Sequence, residues 1–191
     1  MINTLKFYQD FPKEGIKFID IIPLLQDKAV YKQLIDSLTQ LTTAANVVAP
    51  EARGFLFASP LLLTSEKVQN IIPIRKSGKL PFNEGDLIEV RIEKEYGFDT
   101  LYYRLSDIAA GVPEGDCFEV TLFDDVLATG GTAEGLVRSM ESQRIVVDGK
   151  EYGVKIKEFI FLVHIEELGG KARLEPFAPV HTLMDITSFD K

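Results

Sequence analysis

Two adjacent carboxylates, Asp124 and Asp125, are followed by Val126-Leu127-Ala128 and then by Thr129-Gly130-Gly131-Thr132. Glu119 to Phe123 ahead of them reads as a central strand that ends in the two acids, and a helix is expected from near Thr132 to about Gln143. Glycines at 130 and 131 let the backbone turn tightly and present its N–H groups. A helix N-terminus adds partial positive charge, and Thr129 and Thr132 add hydroxyl donors. These parts make a cradle for a phosphomonoester without any lysine. Two acids beside it would repel phosphate alone. They make sense if the ligand also brings vicinal hydroxyls, which carboxylates accept, or Mg²⁺, which they help organise. The spacing suggests ribose 5-phosphate, with hydroxyls over Asp124 and Asp125 and phosphate over Ala128 to Thr132.

Competing phosphate motifs fail in detail. A Walker A loop ends in Gly-Lys-Ser/Thr, and Gly130-Gly131-Thr132 has no lysine. Glycines 130, 131 and 135 do not give G-x-G-x-x-G. A second charged group, Arg75-Lys76-Ser77-Gly78-Lys79, holds three cations and no acid. Alone it reads as a solvated run; near an anionic ligand it becomes a binding tract. Cys117 reads as a structural thiol near a strand, and His164 and His181 as structural histidines without ligand-spaced companions.

The elements that would position these groups alternate between strand and helix. Asp27 to Ala45 places Val30, Leu34, Leu38 and Leu41 at helical spacing. Asn46 to Ala49 and Asn70 to Ile74 read as strands, and Phe55 to Ser65 as a largely buried helix distorted at Pro60. Arg75 to about Gly97 shows little periodicity and is expected to be a lid-like connection. Leu101 to Leu105 and Lys157 to Val163 are further strands, and Asp148-Gly149 marks a hairpin between Ile145 and Ile156. The pattern predicts an α/β fold, a mainly parallel central sheet flanked by helices, in one domain over residues 1–191.

The chain has 191 residues, 46% of them apolar, and a net charge of −8. That charge argues against a general nucleic-acid binder and leaves room for a phosphorylated ligand at a local basic cluster. No apolar run is long enough for a membrane span, and MINTLKFYQDFPKEG lacks the apolar core of a signal peptide. With a single cysteine, a cytoplasmic location is expected.

Asp124-Asp125 with Ala128-Thr129-Gly130-Gly131-Thr132 resembles the phosphoribosyl diphosphate motif of the type I phosphoribosyltransferases. Further segments resemble the adenine phosphoribosyltransferase family in particular. They are Phe11-Pro12-Lys13-Glu14-Gly15-Ile16 with Phe18 and Asp20-Ile21, Glu51 to Phe57, Arg75 to Pro81, Glu95-Tyr96-Gly97 and Leu168 to Leu174. They occur in family order over roughly residues 11 to 175.

The resemblance implies the type I phosphoribosyltransferase fold, with a small hood (about residues 1–26) over the base site and a mobile catalytic loop at about 75–97. It implies Mg²⁺-dependent transfer of a phosphoribosyl group from phosphoribosyl diphosphate to adenine, giving AMP and diphosphate, usually in a homodimer. Mg²⁺ would sit at Asp124 and Asp125, indirectly or through the substrate. The implied catalytic residues are Glu95, Arg53 and Asp125. The implied substrate-binding residues are Phe18, Arg53, Arg75, Lys76, Lys79, Asp124, Asp125, Val126, Leu127, Ala128, Thr129, Gly130, Gly131 and Thr132. Phe18 and Val126 would sandwich the base, Glu95 would meet its nitrogens, and a cis peptide would fall at Glu51–Ala52.

Ala49-Pro50, Lys17, Ile19, Phe82, Arg91 to Lys94 and the Val146 to Lys155 excursion depart from the family pattern. They touch the base pocket and lid more than the cradle. The alternatives are a phosphoribosyltransferase for another purine-like base and a non-catalytic regulatory homologue that binds phosphoribosyl diphosphate.

Overall fold

The computed structural model describes residues 2–11, 13–15, 17–94 and 97–187, with 93, 94 and 97 by backbone alone. The first strands, β1 (Lys6–Tyr8) and β2 (Phe18–Asp20), form a separate antiparallel ribbon. Helix α1 (Lys28–Leu41) follows, opened by Asp27, whose Oδ1 accepts the N–H groups of Ala29 and Val30 at 2.8 and 3.1 Å. Of the stripe that the spacing predicts, Leu34 and Leu38 are buried and Val30 and Leu41 half-buried, and Ile35 is buried beside them.

Strand β3 (Asn46–Pro50) is buried along its whole length. The helix expected at Phe55 to Ser65 is instead two short ones, α2 (Arg53–Ala58) and α3 (Leu61–Thr64), with Pro60 as the N-cap of the second. Proline supplies no N–H to continue α2 and suits a new helix start. The expectation of burial also fails in part: Leu56 and Leu62 are exposed, and Leu63 is 91% exposed.

Strand β4 (Asn70–Lys76) includes Arg75 and Lys76, so the basic tract begins on a strand. The expected lid-like connection shrinks further at its other end. There β5 (Leu87–Lys94) pairs antiparallel with β6 (Gly97–Arg104), from Leu87↔Arg104 to Lys94↔Gly97. Val90 and Ile92 are buried, and Ile92 packs beside Gly135. The Ile88-Val90-Ile92 alternation with charged residues between is the period-2 pattern of a half-buried strand.

After α4 (Leu105–Ala109) comes β7 (Cys117–Leu127), then α5 (Gly131–Glu141), β8 (Arg144–Val147), β9 (Lys150–Ile165), α6 (Gly170–Leu174) and β10 (Val180–Ile186). β8 and β9 form the expected hairpin, with positive φ at Asp148 and Gly149. The sheet order is β10-β9-β7-β3-β4-β6-β5. The first five are parallel neighbours, and β6 and β5 extend the sheet antiparallel. Each face carries its own core. Leu34, Leu38, Val47 and Ile160 pack on the α1 side; Val48, Ile72, Leu136 and Met140 pack on the α5 side. This is the α/β sheet flanked by helices that the sequence predicts.

A buried carboxylate ties the lower sheet together. Glu158 accepts from the Thr43 N–H at 2.6 Å, the Thr43 hydroxyl at 2.8 Å and the Thr121 hydroxyl at 2.7 Å. The β7–β9 register shifts at Val120/Thr121, leaving Lys157 unpaired, and Thr121 then opposes Glu158.

Candidate active site

The strand does not end in the two acids: β7 runs through Asp124 and Asp125 to Leu127. The loop that follows is short, and α5 begins at Gly131. Gly130 takes a left-handed φ of 76° and caps the helix without a side-chain hydrogen bond. Asp124 and Val126 through Ala133, with Phe161, line a cavity of about 90 Å³. That is room for a phosphate-sized group where only a few waters would otherwise fit. Among the described residues, the N–H groups of Thr129 through Ala133 donate to no protein acceptor. These are the unpaired donors of a helix start, and they suit an anion.

Asp124 and Asp125 behave differently although adjacent. Burial first, then the charge of Asp125, pushes the Asp124 carboxyl well above the ordinary carboxylate range. Its Oδ1 accepts the Asp125 N–H at 2.9 Å. Asp125 is buried, and its Oδ2 lies 2.7 Å from Arg53 Nε. The approach is close but not aligned as a hydrogen bond, so Oδ2 keeps an unfilled acceptor position.

Arg53 gathers the other side of the site. It is the first residue of α2, after a peptide bond, Glu51–Ala52, that is cis as expected. Its Nη1 donates to Ile19 O at 3.1 Å, and its guanidinium lies 5.1 Å from the Phe18 ring centroid. Phe11 packs edge-on against Phe18 at 5.0 Å. Because Arg53 is bound by the backbone oxygen of residue 19, the isoleucine side chain there can turn into the core, where it is buried.

Phe18, Arg53, Asp125 and the cradle thus come together. The basic tract is less direct. Arg75 Nε donates to Glu51 Oε2 at 2.5 Å, and the Lys76 N–H donates to the same oxygen at 3.1 Å. Burial works against ionisation of Glu51, but these hydrogen bonds and the charges of Arg75 and Lys79 outweigh it and hold its pKa low. Lys76 lines a different cavity with Phe82 and Tyr102. Glu95, the expected residue at the base, lies outside the described residues, as do Pro12, Ile16 and Tyr96.

Sequence reasoning missed Glu51 as the partner of Arg75, Phe161 in the cavity wall, and Gly54. A Cβ at Gly54 would lie 3.7 Å from Asp124 Oδ1, an ordinary contact distance, so α2 runs close beside the acids at this residue. Glu51 and Gly54 flank Arg53 in a segment already singled out; the signal was there without a role. Nothing in Phe161 itself marks it apart from any buried strand residue. Cys117 begins β7 at the end remote from the acids, with burial pushing its thiol up, and His164 holds Asp185 Oδ1 through Nδ1 at 3.0 Å. Both fit structural roles. Among the described residues there is no group of three or more His, Cys, Asp or Glu able to hold a metal alone, and no helix long and apolar enough to cross a membrane.

No family model matches the chain. It is 38% identical over 189 residues to adenine phosphoribosyltransferase of Wolinella succinogenes, covering 97% of this chain and 94% of that one. Its fold is similar to adenine phosphoribosyltransferase of Thermoanaerobacter pseudethanolicus, with a TM-score of 0.77, 33% identity and 97% of each chain covered. It is also similar to the Saccharomyces cerevisiae enzyme in complex with an imino-altritol bisphosphate and adenine, with a TM-score of 0.72, 30% identity and 95% of each chain covered.

Proposed function

The chain belongs to the adenine phosphoribosyltransferase family, and from that membership we propose which of its residues carry the reaction. It is a pentosyltransferase that moves the phosphoribosyl group of phosphoribosyl diphosphate to adenine, giving AMP and diphosphate in purine salvage. The observation that carries the residue assignment is the cavity over Ala128 to Thr132, with unpaired N–H donors on its wall and two carboxylates beside it.

In this reading the 5-phosphate rests on the N–H groups and hydroxyls of Thr129 to Thr132, backed by Leu127 and Ala128. Asp124 and Asp125 accept hydrogen bonds from the ribose hydroxyls. Adenine lies between Phe18 and Val126, with Arg53 at its edge and beside the leaving diphosphate. Glu95 faces the base nitrogens and takes or shares the proton released as the ring becomes the nucleophile. Diphosphate departure leaves an oxocarbenium-like sugar, so electrostatic help dominates. Arg53, Arg75, Lys76 and Lys79 supply positive charge, Arg75 after exchanging Glu51 for substrate.

The residues fit Mg²⁺. One or two carboxylates together with substrate phosphates suit that ion, and Asp125 offers a buried oxygen with an open acceptor position. Asp124 and Asp125 would hold it, indirectly or through the substrate, and when bound it would neutralise charge on the leaving diphosphate. We also propose a single domain with residues 1–26 as the hood, and a moving loop within the stretch between Lys76 and Leu87. A homodimer is supported by the exposed Leu56, Leu62 and Leu63 on α2 and α3. A cytoplasmic location fits the single cysteine.

Diphosphate release from phosphoribosyl diphosphate, followed with and without adenine and with and without Mg²⁺, tests the reading. Release should require both. Release independent of adenine, or faster with guanine or hypoxanthine, would overturn the base assignment.

A further inference from the structure

We propose that Gly170 and Arg173 are positioning residues for the phosphate cradle, fixing the direction of its peptide groups without touching the ligand. The proposal rests on the reading of Ala128 to Thr132 as the 5-phosphate site. The segment Leu168 to Leu174 has no role in the reaction as described, yet two separate contacts press it against the back of the cradle.

The first contact is at Gly170. A Cβ there would stand 2.2 Å from Ala128 O and 2.8 Å from Leu127 Cδ1, so only glycine fits. The Ala128 carbonyl therefore points at the start of α6. The second is Arg173, whose Nη1 donates to Thr129 O at 3.4 Å and whose Nε donates to Glu134 Oε2. Glu134 is on the first turn of α5, and its Oε1 also accepts from Arg138 at 2.8 Å. Hydrogen bonds from Arg138 first and Arg173 second hold the Glu134 pKa low, so the clamp is ionic. Neither Gly170 nor Arg173 lines the cavity.

The consequence follows from peptide geometry. In a planar trans peptide the C=O and the next N–H point in opposite directions. With the carbonyls of Ala128 and Thr129 both drawn toward α6, the N–H groups of Thr129 and Gly130 are turned the other way, toward the phosphate. A loop with two glycines in succession would otherwise sample peptide flips that present a carbonyl to the anion. Arg173 suits this task because its fork reaches two acceptors at once.

The test compares wild type with Arg173→Ala, Arg173→Lys and Glu134→Gln, measuring equilibrium binding of ribose 5-phosphate and, separately, of diphosphate, with KM for each substrate and Tm. Arg173→Ala should weaken ribose 5-phosphate binding about fivefold, the worth of roughly one hydrogen bond. Diphosphate binding and KM for adenine should stay within about twofold of wild type on the same scale. Arg173→Lys, reaching one acceptor, should recover part of the loss.

Glu134→Gln separates positioning from simple charge. If Arg173 acted only as a distant cation, removing the acid beside it would tighten ribose 5-phosphate binding; positioning predicts weakening. Tighter binding in that variant, or unchanged ribose 5-phosphate affinity in Arg173→Ala, overturns the proposal. Equal loss for diphosphate and ribose 5-phosphate does the same. Wild type that fails to bind ribose 5-phosphate would instead remove the cradle reading itself, and the proposal with it.

Discussion

Asp124→Asn should stabilise the free protein while weakening its function, because the carboxylate is costly until the sugar arrives. Asp124 sits in the cleft beside the negative charge of Asp125, and burial and that charge both raise its pKa. A carboxyl whose pKa rises on folding holds its proton more tightly in the folded state. Its stabilising contribution is whole below the ordinary carboxylate range and is lost as pH rises through the raised folded value.

Asparagine has no proton to lose. The variant should match wild type near pH 3.5 and gain on it as pH rises, reaching about 1 kcal/mol by pH 7, typical of relieving one unfavourable charged site. For a chain of this length that is a Tm increase of roughly 2–4 °C. The fold should otherwise be kept, since asparagine Oδ1 can still accept the Asp125 N–H. That same bond places the amide NH₂ where the second carboxylate oxygen stood, a donor facing a hydroxyl that needs an acceptor.

Losing one hydrogen bond to a charged group costs about 1.5–3 kcal/mol, or roughly 10- to 150-fold in kcat/KM for phosphoribosyl diphosphate. Thermal melts of both proteins between pH 3.5 and 8, with kinetics at pH 7.5, measure both effects. A Tm that falls in the variant, or a stability difference flat across that range, would refute the account of Asp124 as a strained acid.

Three further outcomes are expected. Glu95→Gln should lower kcat about 100-fold, the scale of losing a general base, with phosphoribosyl diphosphate binding within about twofold by titration; a large loss of that binding would move Glu95 away from adenine. Glu158→Ala leaves the Thr43 N–H and two hydroxyls without their acceptor. Its Tm should fall by roughly 6–12 °C, from about 3 kcal/mol of lost bonding, while KM for adenine is unchanged. Cys117→Ser should leave kcat within about twofold, because the raised thiol pKa disfavours the reactive thiolate; loss of activity without loss of Tm would show a role for the thiol.

Elements buried on both sides were the legible ones. Val47-Val48 and Phe159 to Val163 can only be strands of a covered sheet, and the turn at Asp148-Gly149 announces itself by residue type. β5 escaped because it is half solvated: Glu89, Arg91 and Glu93 break its apolar run, and its pattern shows only when every second residue is read. β10 escaped for a related reason, since Val180 to Ile186 mixes His181, Thr182 and Asp185 into an edge strand. At the site, the cradle was legible because its chemistry is local in sequence. Pairing of Arg75 with Glu51, and of Arg173 with Glu134, depends on which segments the sheet brings together, and no spacing encodes that.

The same distinction explains why acids can stand beside an anion site. In the free protein Asp124 is desolvated and faces Asp125, whose Oδ2 has Arg53 near but not aligned. Ribose hydroxyls donate to exactly such acceptors, and a cation arriving with the diphosphate offsets the repulsion between the two acids. A bare phosphate brings neither, so it meets the acids unrelieved. On the proposed reading, this arrangement favours the whole sugar diphosphate over inorganic phosphate, because only a ligand that brings both hydroxyls and a cation relieves the repulsion between Asp124 and Asp125.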